Sequence, residues 1–330
     1  MRSARSFCFS LLLGTALLAG AVSAADLRVG IIGLDTSHVI AFTKALNDKA
    51  SKDHIPGAKV TAAFKGGSPD VKSSATRVDG FTKQLTTDFG VKLYPTIAEL
   101  VQNVDAILIE SVDGRPHLQQ FKEVMKSGKP VFIDKPVAGS LRDAIEIYRL
   151  AKQHNVPLFS SSSLRFNALA ALEGAKYGDV KGAFTFGPCE LEPHHPDLYW
   201  YGIHAVEMLY TVMGKGCKTV TRTHTENTDV VTGVWEGGRV GTMRGNRAGR
   251  GSPAYGVTVW GTTGTAQPEL KTGYGILLKE IVSFFQTRRP PVSAEDTLEI
   301  MAFMEAADES KRRGGAPVAL ADVIKANQPK

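Results

Sequence analysis

The chain has 330 residues, 43% hydrophobic and 22% charged, with a formal net charge of +6. That balance excludes a disordered chain and leaves core enough for two domains. The mild positive charge is no nucleic-acid signature.

Residues 1–24 carry Arg2 and Arg5, an apolar run from Leu11 to Val22, and small residues Ser23, Ala24 and Ala25 around its end. This is the layout of a secretory signal. The arginines are separated by Ser3 and Ala4, so the general secretion route is expected, and with it a periplasmic or extracellular location. Losing Arg2 and Arg5 lowers the charge to +4. No membrane span is expected in the mature chain, because the one apolar run is short and leaves with the signal. Cys189 and Cys217 then remain, and an oxidising compartment would permit a bridge. Two lone thiols are the simpler expectation.

From Leu27 to Gly33 the residues form a buried strand running into a tight turn, with a helix from about Ser37 through Asn47. A dinucleotide fingerprint would sit here. With Gly33 as its first glycine, Asp35 takes the second place and His38 the third. Gly30, Gly33, Asp35 and His38 are the cofactor candidates of this turn. Asp35 would set an anion against pyrophosphate. The second strand, Lys59 to Phe64, ends in Lys65 where an acid would accept ribose hydroxyls, and a lysine there could favour a phosphorylated ribose. Residues 68–90 are polar and strand-poor, as in an insertion or lid.

Thr96, followed by Glu99, caps a helix in capping-box spacing. The strand Val104 to Glu110 leads into Ser111-Val112-Asp113-Gly114-Arg115-Pro116-His117. Arg115 and His117 are candidates to reach substrate beyond the strand edge; His117 as a cap of the following helix is the alternative. The run Val131-Phe132-Ile133 is a buried strand that delivers Asp134, Lys135 and Pro136 to its C-terminal edge, where ligands bind in open α/β sheets.

The run Val-Phe-Ile-Asp-Lys-Pro, preceded by Val104 to Glu110 and by Pro116-His117, resembles the Glu-Lys-Pro region of the Gfo/Idh/MocA family of glucose-fructose oxidoreductases and inositol dehydrogenases. The likeness covers nearly all of the chain after residue 26. It implies that Lys135 lies near nicotinamide and substrate, with Asp134 in place of the usual glutamate.

A helix from Leu141 to about Asn155 and a strand from Val156 to Ser160 close the first unit. Alternating strands and helices imply a mostly parallel, doubly wound sheet. The second unit starts with a helix near Asn167 to Tyr177 and a strand from Lys181 to Phe186. Tyr201-Gly202-Ile203-His204 then resembles the family's Asp-x-Gly-x-His-x-x-Asp helix. Gly202 and His204 match, while Trp200 and Glu207 replace the acids. By that resemblance His204 is a catalytic acid/base facing Lys135, a role that suits a group titrating near neutral pH. Tyr201 is a candidate substrate contact beside it. Glu190, His194, His195 and His204 offer donors that zinc or another divalent ion prefers, in a spacing that matches no standard ligand motif. Runs of β-rich sequence from 220 to 260, separated by glycine turns, suggest a largely antiparallel open sheet. Helices at 275–286 and 294–312 return toward the first unit.

The expected architecture is thus a signal at 1–24, a Rossmann-like domain at 25–160 and an α+β domain with an open sheet at 161–330. The resemblance implies an oxidoreductase acting on a sugar or polyol with NAD or NADP. A metal-dependent, nicotinamide-independent hydrolase or lyase in the same crevice is the alternative, and a sugar-binding pseudoenzyme a third. The apolar open sheet leads us to expect a homo-oligomer.

Overall fold

The computed structural model describes residues 25–247 and 255–329. The expected signal segment therefore lies outside the described residues.

The first sheet is built from β1 (Leu27–Ile32), β2 (Ala58–Phe64), β3 (Lys92–Leu93), β4 (Ala106–Ile109), β5 (Val131–Ile133) and β6 (Leu158–Ser160). Its order is β3-β2-β1-β4-β5-β6, and every pairing is parallel. The central strands read as unbroken apolar runs because helices cover both faces, so all of β4 and β5 is buried. The order turns back between β1 and β4, which makes their C-terminal ends the switch point where a ligand crevice opens.

The helices of this domain are α1 (His38–Asn47), α2 (Lys72–Ala75), α3 (Val78–Phe89), α4 (Ile97–Gln102), α5 (His117–Val124) and α6 (Leu141–Gln153). Thr96 does cap α4, its hydroxyl accepting the Glu99 N–H at 3.2 Å. Ser140 caps α6 in the same way from Asp143. Residues 68–90, expected as an insertion or lid, hold no strand and fold into α2 and α3, whose helical pattern is weak in sequence because only Leu85 of α3 is buried.

The second sheet is formed by β7 (Val180–Pro188), β8 (Cys217–His224), β9 (Thr228–Trp235), β10 (Val240–Asn246), β11 (Gly256–Gly261), β12 (Thr265–Ala266) and β13 (Val318–Ala319). Its order is β12-β11-β7-β10-β9-β8-β13, antiparallel except for the β10/β7 pair. The second domain's helices are α7 (Ser163–Leu172), α8 (Gly202–Met213), α9 (Gly275–Thr287), α10 (Ala294–Arg312) and α11 (Leu320–Ala326). Helix α7 begins four residues earlier than expected from sequence. Ser162 caps it, accepting from the Leu164 N–H at 3.1 Å, and residues 163–168 are all buried, so no polar stripe marks its start.

One face of the second sheet packs Val220, Val231, Trp235 and Met243 against Leu209 of α8 and Phe303 of α10. Helix α9 instead joins the first domain's core through Leu277, Ile281 and Phe284. Phe159 meets Phe132 and Phe284 edge-on at centroid distances of 5.0 and 4.9 Å. Burying each such ring stabilises by about 1.5–3 kcal/mol, which fixes the second domain against the end of the first sheet. Cys189 and Cys217 are free and buried. Among the described residues, no helix is long and apolar enough to cross a membrane.

Candidate active site between the two sheets

A cavity of about 420 Å³ opens beyond the C-terminal ends of the first sheet. It is lined by Thr36, Ser37 and His38 at the start of α1, by Asp134 and Lys135 after β5, and by Ser162 and Ser163 at the start of α7. Tyr201, His204, Tyr255 and Tyr274 line it as well. Lys135 and His204 thus share one crevice, each brought there by the end of a buried element.

The Lys135 ammonium sits over the Tyr201 ring, 5.5 Å from its centroid. Burial lowers the Lys135 pKa, and Asp134 opposes that shift. A lysine so placed gives up its proton more readily than one in water. His204 is held well below the ordinary histidine range, first by burial and then by the Lys135 charge, so its imidazole is neutral. Ser162 Oγ lies 2.7 Å from His204 Nδ1 and fixes the ring. Ser162 is steadied in turn by Glu207, which accepts its N–H at 3.4 Å and pairs with Arg165 at 2.7 Å. Glu207, which stands where the resembled helix motif has its last acid, faces this buried arginine and does not line the cavity.

Beneath His38 lies a feature the sequence did not signal. His38 Nδ1 is 2.8 Å from Asp134 Oδ2 and 3.7 Å from Glu110 Oε2. Glu110 is fully buried, and neither of its carboxylate oxygens has a hydrogen-bond partner. Burial, and then the Asp134 charge, push Glu110 up to about 8. Burial opposes the His38 charge, but Asp134 and Glu110 outweigh it and raise His38 to about 9. The only hint in the sequence was an acid directly after the apolar run Ala106–Ile109.

The turn after β1 was expected to receive a dinucleotide. Gly33 has φ +89°, and a Cβ there would stand 2.5 Å from the Ser111 backbone nitrogen, so the turn needs glycine. Asp35 is fully buried. Its carboxylate accepts the Val112 N–H at 2.9 Å and the Ser74 hydroxyl at 2.6 Å. Helix α2 is therefore fastened over the turn by the residue that displaced the second glycine. The preceding loop is fastened as well. Ser68 donates to Asp113 at 2.7 Å, and Arg115 spans Asp113 at 2.7 Å and Asp70 at 2.9 Å. Residues 66–77 thus form a strap across the switch point, and the space a pyrophosphate needs holds Asp35 and Ser74. The residues present do not fit a dinucleotide in the pose that the glycine fingerprint serves.

Several candidates take other roles. Gly30 lies mid-strand, where a Cβ would meet Leu100 and Val104, so it serves packing and no cofactor. Lys65 is exposed and pairs with Asp79 at 2.6 Å, turned to α3. Arg115 holds the strap and does not line the cavity. His117 is fully buried, with its ring nitrogens 3.0 Å from the Pro136 carbonyl and 2.9 Å from the Ser111 carbonyl. It ties two loops together and does not reach the crevice.

The expected metal set does not converge either. Glu190 is exposed, and His194 pairs with Glu192 at 2.8 Å. His195 is held between Glu192 at 2.7 Å and Asp113 at 3.1 Å, while His204 bonds Ser162. Adjacent His194 and His195 cannot turn both rings to the crevice, and the nearby carboxylates claim them first. Among the described residues, the ligand-type group that does come together is His38, Glu110 and Asp134.

A parallel sheet with a crevice at its switch point, closed by an open-sheet domain that contributes a histidine, defines a two-domain protein with a ligand site between its sheets. Residues 27–162 match the model of the oxidoreductase family with NAD-binding Rossmann fold, Gfo/Idh/MocA. Over these residues, which are less than half of the chain, the first domain is similar to that family. Among solved structures, a probable dehydrogenase from Thermotoga maritima superposes with a TM-score of 0.71 at 22% identity, over 90% of this chain and 100% of that one. A scyllo-inositol dehydrogenase from Lactobacillus casei with bound NAD(H) and scyllo-inositol gives 0.70 at 16% identity, over 90% and 100%. The myo-inositol 2-dehydrogenase of Lactobacillus plantarum gives 0.70 at 17%, over 89% and 99%. At these identities the likeness establishes the fold. No curated protein matches the chain by sequence.

Proposed function

We propose that the chain is an oxidoreductase acting on a hydroxyl-bearing carbon of a sugar or polyol, with Lys135 and His204 handling the hydroxyl proton. The observation that carries this is their presence on one cavity of about 420 Å³, a size suited to a small ligand. Lys135, in the amine form that burial makes more accessible, takes the proton. His204, neutral and held by Ser162, hydrogen-bonds the same oxygen and selects its position. The serines and tyrosines of the walls offer hydroxyls to a polyhydroxylated molecule. The family match and the inositol dehydrogenase neighbours support the substrate class and a nicotinamide cofactor, which would supply the redox chemistry. Binding that cofactor in the family pose requires residues 66–77 to leave the edge of the first sheet.

The strap favours a second reading, in which the same crevice serves a nicotinamide-independent hydrolase or lyase. Titrating NAD and NADP into the wild type and an Asp35→Gly variant separates the two. The oxidoreductase predicts saturable binding by the wild type, tightened in Asp35→Gly as the strap is released and the anion removed. Absence of binding in both proteins would sink it in favour of the second reading.

The exported location belongs to the same proposal and is supported by residues 1–24 alone. N-terminal sequencing of the mature protein should begin near Ala25 or Asp26; an intact Met1 would count against it.

A further inference from the structure

Two carboxylates and an imidazole meet at the floor of the crevice with both Glu110 oxygens and His38 Nδ1 left without a hydrogen-bond partner. The ligand-type atoms of His38, Glu110 and Asp134 all lie within 4.8 Å of one another. Among the described residues, the only cationic side chain within 4.0 Å of either carboxylate is His38 itself. Lys135, the nearest candidate by sequence, is turned over Tyr201. Both Glu110 oxygens are buried and unpartnered, and so is His38 Nδ1 by hydrogen-bond geometry, despite its 2.8 Å approach to Asp134. A buried carboxylate without a partner is costly, and a proton on it would still need an acceptor, which neither oxygen has. A cation placed between the three groups removes the cost.

We propose that His38 Nδ1, Glu110 and Asp134 bind one divalent transition-metal ion, zinc, manganese or iron(II), at the floor of the crevice. One nitrogen and two carboxylate donors suit such an ion, and two anions with a neutral imidazole balance its charge. Bonds of about 2.0–2.2 Å to a tetrahedral ion place donors about 3.3–3.6 Å apart, so the separations of 2.8 and 3.7 Å need only small side-chain shifts. Three protein ligands leave coordination positions open, as catalytic rather than structural sites do. His38 and Asp134 line the cavity while Glu110 lies below it, so the open positions face the space shared by Lys135 and His204. Phe42 and Tyr274 clamp the His38 ring at centroid distances of 5.4 and 4.7 Å and preset its direction.

The test uses the full mature protein and needs neither turnover nor a dinucleotide, so its outcome is independent of the oxidoreductase proposal. Native protein is assayed for metal by mass spectrometry, stripped with chelator, and titrated calorimetrically with Zn²⁺, Mn²⁺, Fe²⁺ under anaerobic conditions and, for contrast, Mg²⁺. One equivalent of a transition metal should bind the wild type and raise its Tm. His194→Ala, which removes the exposed histidine best placed to bind metal adventitiously, should bind equally. Glu110→Gln and His38→Gln should bind at least tenfold more weakly while keeping wild-type circular dichroism. Should a variant fail to fold, anomalous scattering from a wild-type crystal soaked in Zn²⁺ locates the ion directly. Absence of saturable binding by stripped wild type, undiminished binding in both folded glutamine variants, or an ion found away from His38 would each overturn the proposal.

Discussion

Replacing Lys135 by methionine keeps an unbranched stem against Tyr201 and removes the ammonium. If Lys135 takes the substrate proton, kcat should fall by about 10²–10⁴-fold with little change in Tm, checked by steady-state kinetics beside thermal unfolding. Unchanged turnover would reduce it to a lysine at a strand end. Ser162 is a positioning residue, acting through His204. Ser162→Ala should lower kcat by about tenfold and, because Ser162 also caps α7, cost about 1 kcal/mol of stability. Ser162→Thr, which keeps the hydroxyl, should restore both; recovery of stability without recovery of kcat would sink the positioning role. At this scale Lys135 was legible because a strand end is marked in sequence, while His204 and Tyr201 were reached through the resemblance to a family helix motif. Glu110 was not, since an acid after an apolar strand looks alike whether it faces water or lies beneath a histidine folded back from another element.

The strap of residues 66–77 is the element that most alters the crevice. Asp113 is its anchor, accepting from Ser68 and Arg115 and lying 3.1 Å from His195 Nε2. Burial alone would raise the Asp113 pKa, but those bonds outweigh it and hold the carboxyl well below the usual range. Burial likewise opposes charge on His195, yet Asp113 and Glu192 outweigh it and raise its pKa above 6.5. The signs then follow from linkage. The His195 contribution is complete below pH 6.5 and is lost as pH rises through its raised folded value. The Asp113 contribution is present above about 3.8 and is lost as pH falls through its lowered folded value. Hydrogen exchange in residues 66–75, corrected for its intrinsic pH dependence, should be slowest between those limits and quicken on the alkaline side. A flat profile from pH 5 to 9 would refute the role of His195. Asp113→Asn should cost about 2 kcal/mol, less than a fully buried pair because Arg115 is 37% exposed. The sequence marked this stretch as an insertion or lid but not its helices, because α2 is four residues long and α3 buries almost nothing.

In the whole molecule, the second sheet has one face covered by α8 and α10 and one face open. The register puts Val240 opposite Val234 and Trp260 opposite Gly182, which itself pairs with Val240. Val234, Val240 and Trp260 therefore share the open face, at 40%, 44% and 46% exposure. Val231 and Trp235 lie on the other face, buried under the helices. We propose that this face joins two copies, since a contiguous apolar patch of this kind commonly marks an interface. Light scattering at micromolar concentration should give a dimer or larger assembly for the wild type and a monomer for a Val240→Asp, Trp260→Asp double variant. A strictly monomeric wild type would end the proposal.

The sequence by itself determined the parallel sheet, the open sheet and the strand-end station of Lys135, whereas the station of His204 rested on a family resemblance. The first three are written locally, in β-branched runs, glycine turns and capping residues whose preferences act over a few neighbours. Only the tertiary structure decided that Asp35 binds α2 across 39 positions, that Arg115 and His117 serve the loops, and that His38 covers Glu110 and Asp134. A polar side chain takes whichever partner the fold brings within about 3 Å, and that choice is made by elements distant in the chain.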